Sequence, residues 1–224
     1  MPKRSEPAAD DPFGGRTPTS HERMTGRPWD ASYQDGPAPW DIGGPQPAVE
    51  RIVAAGRFTG AVLDVGCGTG ENTLLIASRG LPVLGVDVAV GALETARANA
   101  AERGLEAEFA IADALHLELS GRRFDTVLDS GLFHTLDSGE RVEYVRSLAT
   151  VTEPGATLYL LCFSDTGPEP GPHPVGRAEL AAAFAPGTGW RIESIEAERV
   201  GTRFHDKGAP GRLATIARVP SDSG

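Results

Sequence analysis

From residue 61 onward, the apolar residues follow two alternating patterns. Short apolar runs are each followed by a longer stretch in which apolar residues recur every three or four positions. The runs predict strands, the longer stretches predict helices, and their alternation predicts an α/β fold: a mostly parallel sheet with helices on both faces. The strands are at 61–66, 82–89, 107–113, 124–131 and 156–163, and the helices are at 47–56, before Gly80, before Gly104, over about 138–153 and at 177–184.

Two further segments complete the predicted sheet. Residues 190–200 alternate apolar and polar positions with period two, so this strand is expected to be half exposed. Residues 212–219 form the last predicted strand. Residues 156–163 are apolar throughout, which is typical of a central strand, and the helix before them is expected to end at Pro154-Gly155.

The amino-terminal part has a different composition. Nine of the 18 prolines lie within residues 1–47. Residues 1–25 are predicted to be a disordered tail, because such a segment buries too little apolar surface to offset its ordering entropy. Residues 26–47 carry Trp29, Tyr33 and Trp40 among prolines and glycines, and exposed aromatic side chains would promote aggregation.

We therefore predict that residues 26–47 fold over the carboxyl edge of the sheet as a lid. They would belong to a single domain that spans residues 26–219. Asp41 and Gln46 would add polar contacts to one end of the ligand beneath the lid. The alternative is a strap that packs on the outside of the domain.

Composition and charge exclude several classes of protein. The net charge of −10 and the absence of a basic cluster argue against a nucleic-acid partner, which needs clustered Lys and Arg. Cys67 and Cys162 form neither a disulfide framework nor a metal-ligand spacing, so no metal is predicted and a cytoplasmic location is expected. No segment approaches 18 apolar residues, which argues against a membrane partner.

The most informative stretch is VLDVGCGTGENTLLIASRG, residues 62–80. It predicts a strand, a glycine turn and a helix, an arrangement that presents free backbone N–H groups at the carboxyl edge of the sheet. Its glycines, Gly66, Gly68 and Gly70, read G-x-G-x-G and not the G-x-G-x-x-G of dinucleotide sites. Asp64 precedes them, and a carboxylate there favours a cationic ligand over a phosphate.

Two more carboxylates close the next two predicted strands. Asp87 ends the second strand, where a carboxylate can accept both hydroxyls of a ribose. Asp113 ends the third strand, followed by Ala114. This carboxylate could accept from an exocyclic amine, and the N–H after it could face a ring nitrogen. Each acid taken alone could equally be a helix cap.

Together these motifs resemble those of the class I S-adenosylmethionine-dependent methyltransferases. The resemblance covers residues 60–219 and implies a Rossmann-like seven-stranded sheet whose last strand is antiparallel. It implies that Asp64 lies near the methionine amino group, that Asp87 holds the ribose and that Asp113 holds the adenine amine. The remaining residues that it implies around S-adenosyl-L-methionine are Gly66, Cys67, Gly68, Gly70, Val88, Ala114, Asp129 and Trp40.

The fourth strand leads into VLDSGLFHTL, residues 127–136, where such enzymes project residues toward the methyl group. The stretches DSGLFH and PWDIGGPQP are similar to bacterial methyltransferases acting on small thiols, thiopurines and heterocyclic hydroxyls. His134 is the candidate general base because its ordinary pKa suits neutral pH, although it could merely line the site. Asp129 is the second candidate catalytic residue and could contact the cofactor or the acceptor.

The sequence thus predicts transfer of a methyl group from S-adenosylmethionine to an O, S or N nucleophile of a small molecule. One alternative is a regulator that binds the cofactor without turnover. The other is a nicotinamide-dependent reductase, against which the glycine spacing counts. His21, His173 and His205 are assigned no role, and the oligomeric state is not predicted.

Overall fold

The computed structural model describes residues 12–13, 15–34, 36–117, 119, 121–167 and 171–220. Residues 1–11 of the predicted disordered tail lie outside the described residues. The helices are α1 Ser20–Thr25, α2 Pro47–Ala54, α3 Glu71–Ala77, α4 Val90–Arg103, α5 Ser138–Thr150 and α6 Arg177–Ala183. The strands are β1 Val62–Val65, β2 Val83–Asp87, β3 Glu108–Ile111, β4 Phe124–Ser130, β5 Thr152–Phe163, β6 Trp190–Thr202 and β7 His205–Arg218.

The strands form one seven-stranded sheet in the order β3-β2-β1-β4-β5-β7-β6. The pairs from β3 to β5 are parallel, and β7 is antiparallel to both of its neighbours, β5 and β6. The predicted α/β, Rossmann-like fold with an antiparallel last strand is therefore confirmed. The strand order reverses between β1 and β4, which is where ligands bind in open α/β sheets.

Alternating residues of the central strands bury opposite faces of the sheet. Leu63 and Val65 of β1 belong to a core with α5 and α6, whereas Val62 belongs to a second core with α2 and Ile76 of α3. Since each strand is covered on both sides, its residues are apolar almost without interruption, as in β5. This packing fixes the carboxyl ends of β1, β2 and β4 side by side. None of the described helices has the length and hydropathy needed to cross a bilayer.

Two predicted boundaries are wrong. Residues Ser20–Thr25, within the predicted disordered tail, form α1, whose cap Thr19 and buried Glu22 make a capping box. Helix α5 ends at Thr150, and Pro154 and Gly155 lie within β5. The pairing of β5 with β4 shifts register between Phe124 and Thr126, opposite this dipeptide. Such an irregularity accommodates a proline without a lost ladder bond.

Candidate active site

A cavity of about 360 Å³ lies at the carboxyl edge of the sheet. Its floor is the glycine turn after β1 together with the ends of β2 and β4, and its roof is formed by residues of the amino-terminal segment. The tip of the β6–β7 hairpin closes one side, where the Phe204 side chain is 76% exposed at the mouth. The position agrees with the switch point of the sheet.

Gly66 and Gly68 line the floor of the cavity and adopt positive φ angles of 72° and 53°. A Cβ on Gly68 would lie 3.0 Å from the Tyr33 hydroxyl oxygen, and one on Gly66 would lie 3.2 Å from Leu132 Cβ. Cys67, between them, also lines the cavity. The turn therefore presents bare backbone to the cavity, because a side chain would fill it.

Gly70 has a different surrounding from the other two glycines. It does not line the cavity, and a Cβ there would lie 2.9 Å from Ala96 Cβ and 3.0 Å from the Phe109 ring. It is the N-cap residue of α3 and has a φ of 83°. Gly70 thus allows α3 to pack closely on α4 and β3, so the structure gives it a packing role at the base of the site.

Asp87 lines the cavity together with Val88. Its carboxylate accepts hydrogen bonds from the backbone N–H groups of Gly68 and Ala89, both at 2.9 Å. Burial raises the pKa of Asp87, and these two backbone donors oppose that effect. Asp87 therefore locks the glycine turn to the end of β2 and keeps a carboxylate at the cavity wall.

Asp113 lies just outside the cavity lining, whereas Ala112 and Ala114 on either side of it are part of the wall. The Asp113 carboxylate accepts from the Leu115 N–H at 2.9 Å and lies 3.2 Å from His116 Nδ1. It thus caps the short 3₁₀ helix Ala114–His116. The structure places backbone and methyl groups, and not this carboxylate, at the end of β3.

Asp64 is 1% exposed and lies beneath the glycine turn, outside the described lining of the cavity. Its carboxyl group accepts a hydrogen bond of 2.6 Å from the Thr73 hydroxyl of α3. Burial, with smaller contributions from Asp129 and Asp87, raises the pKa of Asp64 to about 7. The hydrogen bond from Thr73 therefore anchors α3 to β1 through the Asp64 carboxyl group, whose raised pKa disfavours its ionised form.

Asp129 is fully buried behind the wall of the cavity. It accepts from the Tyr144 hydroxyl at 2.8 Å and from the backbone N–H groups of Leu132 and Phe133. Burial raises the pKa of Asp129 to about 6 against these three donors. The structure thus does not bring Asp129 into the cavity. The Asp129 carboxylate instead fixes, through these backbone hydrogen bonds, the turn that carries His134.

His134 lies in the 3₁₀ helix Phe133–Thr135 and lines the cavity. The residue is 8% exposed, its ring lies 4.5 Å from that of Phe163, and its Nδ1 has no hydrogen-bond partner in the described part of the chain. Burial lowers the pKa of His134 to about 3, assisted by His173, His21 and Arg141. At neutral pH this imidazole is neutral.

The three histidines that the sequence left without a role, His21, His173 and His205, line the same cavity. His21 of α1 stacks on Trp29 with ring centroids 4.3 Å apart, and it meets the His173 ring edge-on at 5.6 Å. The signal that was overlooked is Thr19-Ser20-His21-Glu22, a capping-box pattern that marks a helix start. His173 comes from the loop before α6, and no sequence pattern indicates its position.

The aromatic residues of segment 26–47 form a cluster in the roof. Trp29, Tyr33 and Trp40 all line the cavity, and the Trp40 indole N–H donates to the Tyr33 hydroxyl at 3.1 Å. The Trp29 and Trp40 rings meet edge-on at 5.7 Å. Trp40, which the sequence assigned to the cofactor, is therefore placed in the roof with the Tyr33 hydroxyl near Gly68.

Side chains of the same segment bond to three parts of the core. Asp30 accepts from the Gly91 N–H of α4 at 2.7 Å. Asp41 accepts from the Thr69 hydroxyl at 3.2 Å. The Gln46 amide bonds to both backbone groups of Gly201 in β6, at 2.7 and 3.0 Å. The segment is thus fastened across the edge of the sheet near its amino end, in its second half and at its carboxyl end.

The charge of the cavity fits a cationic ligand. The described residues that line it include the carboxylates Asp41, Glu71 and Asp87 but no lysine or arginine. A pyrophosphate would have no cationic partner in this lining, whereas a sulfonium would be attracted by carboxylates and aromatic faces. Among the described residues, no group of three or more His, Cys, Asp or Glu side chains is arranged to hold a metal ion.

Comparison with known proteins agrees with this geometry. Residues 62–155 match the model of a family described as a methyltransferase domain. The chain is 36% identical over 178 residues to the 2-heptyl-1-hydroxyquinolin-4(1H)-one methyltransferase of Mycobacteroides abscessus, covering 76% of this chain and 78% of the relative. It is 29% identical over 138 residues to a probable thiol methyltransferase of Arabidopsis thaliana, covering 60% of this chain and 61% of that relative.

Solved structures give the same result. A structure from work on the conversion of a disulfide bond into a thioacetal group during echinomycin biosynthesis superposes with a TM-score of 0.74 at 38% identity, over 83% of this chain and 86% of that chain. The magnesium protoporphyrin IX methyltransferase of Synechocystis with bound S-adenosylmethionine shares the fold, with a TM-score of 0.58 at 23% identity over 76% of each chain. The chain belongs to the class I S-adenosylmethionine-dependent methyltransferases, and S-adenosylmethionine is its cofactor.

Proposed function

We propose that this methyltransferase acts on an uncharged, largely flat small molecule and methylates a weakly acidic hydroxyl, thiol or ring N–H group. The observation that carries the proposal is the lining of the cavity, which combines three aromatic rings of the roof with carboxylates and histidines and contains no described lysine or arginine. A carboxylate or phosphate acceptor would enter without a cationic partner, which is costly in a desolvated site.

The names of relatives support the same class of acceptor. One relative is named for a 1-hydroxyquinolin-4(1H)-one and another for a thiol. Both compounds present a nucleophile that can lose a proton near neutral pH. We therefore propose that the acceptor atom is an O, S or N atom that carries a proton and loses it on methylation.

The cofactor end of the cavity is assigned to the glycine turn and Asp87. Bound there, S-adenosylmethionine supplies a methyl group that is already activated as a sulfonium. The Asp87 carboxylate would accept from the ribose hydroxyls, and Gly66, Cys67 and Gly68 would pack against the cofactor through bare backbone. Val88 and Ala114 would flank the adenine, with the Asp113 carboxylate at the outer rim.

Asp64 is proposed to act from beneath the turn. Its carboxyl group is buried and bonded to Thr73, so it would hold the floor and offer negative charge toward the methionine amino group. A positively charged amine above it would favour the ionised carboxylate, which would lower its raised pKa. Cofactor binding and ionisation of Asp64 are then coupled.

The acceptor end is assigned to His134 and the roof of the cavity. Because transfer from a sulfonium is an in-line displacement, positioning contributes most of the rate, and proton removal contributes about 10²–10⁴-fold. The His134 ring, which lines the cavity, would help to position the acceptor. Asp129 would act indirectly, by holding the turn 131–134 in place.

Segment 26–47 is proposed to be a lid. Its aromatic cluster covers the cavity, and closure would exclude water from the displacement. Trp40→Ala removes one face of the roof without touching the anchors Asp30 and Gln46. We expect this variant to lose acceptor affinity and turnover by at least tenfold and to keep its unfolding temperature. An external strap would leave both kinetic constants unchanged.

The acceptor class is tested with labelled S-adenosylmethionine and matched pairs of acceptors. Each pair consists of a neutral phenol, thiophenol or hydroxyquinoline and the same ring bearing a carboxylate. The proposal requires methyl transfer to the neutral member and at least a hundredfold lower kcat/KM for the carboxylate. Equal or faster methylation of the carboxylated member would refute the proposed class.

A further inference from the structure

The histidine that sequence reasoning selects as the base is chemically the weaker candidate. His134 is enclosed and lies near Arg141, His21 and His173, and among the described residues no carboxylate raises its pKa, which burial and these groups lower to about 3. His21 and His173 line the same cavity and are the other imidazoles near this place.

Helix α1 brings His21 to the wall beside His134. Ser20 donates through its hydroxyl to the backbone carbonyl of Thr135 at 3.0 Å, and the Glu140 carboxylate accepts from the Ser20 N–H at 2.6 Å. These bonds join the residue before His21 to the residue after His134. Two independent elements thus fix the pair of imidazoles at one end of the cavity.

His21 itself is held firmly. The neighbouring Glu22 is fully buried and accepts from the backbone N–H groups of Thr19 and Trp29 and from Arg16. His21 stacks on Trp29, and its buried Nδ1 has no hydrogen-bond partner in the described part of the chain. The ring is only partly buried and lines the cavity, so a fixed imidazole lies at the cavity wall.

His173 supplies a second imidazole next to His21. Its ring meets that of His21 edge-on at 5.6 Å. Its φ of 51° lies in the left-handed region, and among the described residues it is the one non-glycine with a positive φ. Side chains in this conformation are concentrated at functional sites, where the surrounding structure maintains the strain.

We propose that His21, which α1 contributes immediately before the lid, takes the proton of the methyl acceptor and that His173 passes it to solvent. This inference rests on the proposed function. In the step, the acceptor X–H bond breaks and its electron pair forms the X–CH₃ bond. The pair of the breaking C–S bond stays on sulfur, and the proton moves to His21, so the positive charge of the sulfonium is replaced by that of an imidazolium.

The charges around His21 agree with this role. Burial and then His173 lower the pKa of His21, whereas Glu22 on the same helix raises it. The other groups facing it are His134, and Arg16 through its ion pair with Glu22. His21 is thus neutral and ready to accept a proton at neutral pH, and it has the neighbouring carboxylate that His134 lacks.

The test compares His21→Gln and His134→Gln with a series of para-substituted phenols and thiophenols whose pKa values span the assay pH. With acceptors that are mainly protonated, His21→Gln should lose about 100-fold or more in kcat, the scale of general-base catalysis. With acceptors that are already ionised, the loss should be under about threefold, because no proton has to be removed. His134→Gln should show a loss that does not depend on the acceptor pKa.

Three further measurements separate proton removal from a structural effect. Added imidazole should restore turnover to His21→Ala with protonated acceptors. His173→Asn, which tolerates the left-handed backbone, should lose about tenfold with the same dependence on acceptor pKa. Calorimetry with S-adenosylhomocysteine should give the wild-type dissociation constant for all variants, within about twofold.

The outcomes are distinct. A loss in His21→Gln that is equal for protonated and ionised acceptors, or a dependence on acceptor pKa confined to His134→Gln, overturns the assignment of His21. Wild-type protein that binds S-adenosylhomocysteine but methylates none of the series overturns the proposed acceptor class, and the assignment of the base with it.

Discussion

Gly70 and Gly80 both have left-handed backbone, but only Gly70 is enclosed. A Cβ on Gly70 would lie 2.9 Å from Ala96 Cβ, whereas one on Gly80 would have no neighbour within 4 Å. Both Ala variants carry the backbone strain of about 1–2 kcal/mol. We expect Gly70→Ala to be destabilised by about a further 1–3 kcal/mol through overpacking. Urea unfolding of the two variants measures this difference, and equal stabilities would contradict the packing role.

Asp64 makes the stability of the cofactor-free protein depend on pH. Its pKa is 3.8 in a model peptide and about 7 in the folded chain, so the folded state binds this proton more tightly. The contribution is fully present below pH 3.8 and is lost as the pH rises through about 7. Each pKa unit corresponds to about 1.4 kcal/mol, so the effect amounts to a few kcal/mol at most.

Asp64→Asn should therefore flatten the loss of unfolding free energy between about pH 4 and about pH 7. Part of the slope should remain, because burial also raises the pKa of Asp129 to about 6. Glu94→Gln, an exposed change on α4, is the control and should keep the wild-type profile. Profiles of Asp64→Asn and wild type that run parallel would show that Asp64 is ionised in the folded protein.

At this scale the sequence predicted the location of the site better than the contacts within it. Asp64, Asp87 and Asp129 were expected at one edge because parallel strands end together. Which of them faces the cavity depends on partners distant in sequence: Thr73 draws Asp64 under the turn, and Tyr144 draws Asp129 behind the wall. The residue roles assigned from sequence stay predictions.

At the scale of elements, the lid should depend on its anchor to α4. The Asp30 carboxylate accepts from the Gly91 N–H in the first turn of that helix, a cap of the kind that contributes about 1 kcal/mol. We expect Asp30→Ala to raise the KM for the acceptor and to speed proteolytic cleavage within residues 26–47. The core should remain folded, since α4 still packs through its buried Leu93 and Ala96.

The control for this prediction is Glu94→Ala, which removes an exposed carboxylate from the same helix without an anchor. The rate of proteolytic cleavage within residues 26–47 and the KM for the acceptor are measured for both variants. If Asp30→Ala behaves like Glu94→Ala, the contact between Asp30 and Gly91 does not hold the lid.

Most elements were predictable because their periodicity and their end signals agreed. Helix α4 is capped by Gly104, as its pattern predicted, and each of the seven strands overlaps its predicted position, although β5 and β7 begin earlier than predicted. The end of α5 was missed because Pro154-Gly155 lies in an irregular part of β5, which local sequence does not reveal. Helix α1 was missed because its capping box was overlooked in a proline-rich segment, and its contact with Glu140, more than a hundred residues away, is not visible in the local sequence.

For the whole molecule, the cofactor should stabilise the fold by mass action. S-adenosylhomocysteine at about 100 times its dissociation constant should raise the free energy of unfolding by about 2.7 kcal/mol. NAD at the same concentration should leave it unchanged, because its pyrophosphate would meet carboxylates and no described cation in the cavity. Thermal unfolding with each ligand tests both statements, and stabilisation by NAD alone would contradict the assignment of the site.

The cytoplasmic location expected from the cysteines stays a prediction.

The negative charge of the cavity lining also determines which solutes compete with the acceptor for binding. A cleft lined by Asp41 and Asp87 repels ions of their own sign, whereas the charge of Glu71 is offset by its ion pair with Arg103. Sugar phosphates, nucleotides and organic acids are anions, so the most plentiful solutes of a cell would rarely occupy it. On the proposed function, an uncharged aromatic acceptor would therefore meet little competition from these anions for its end of the cavity.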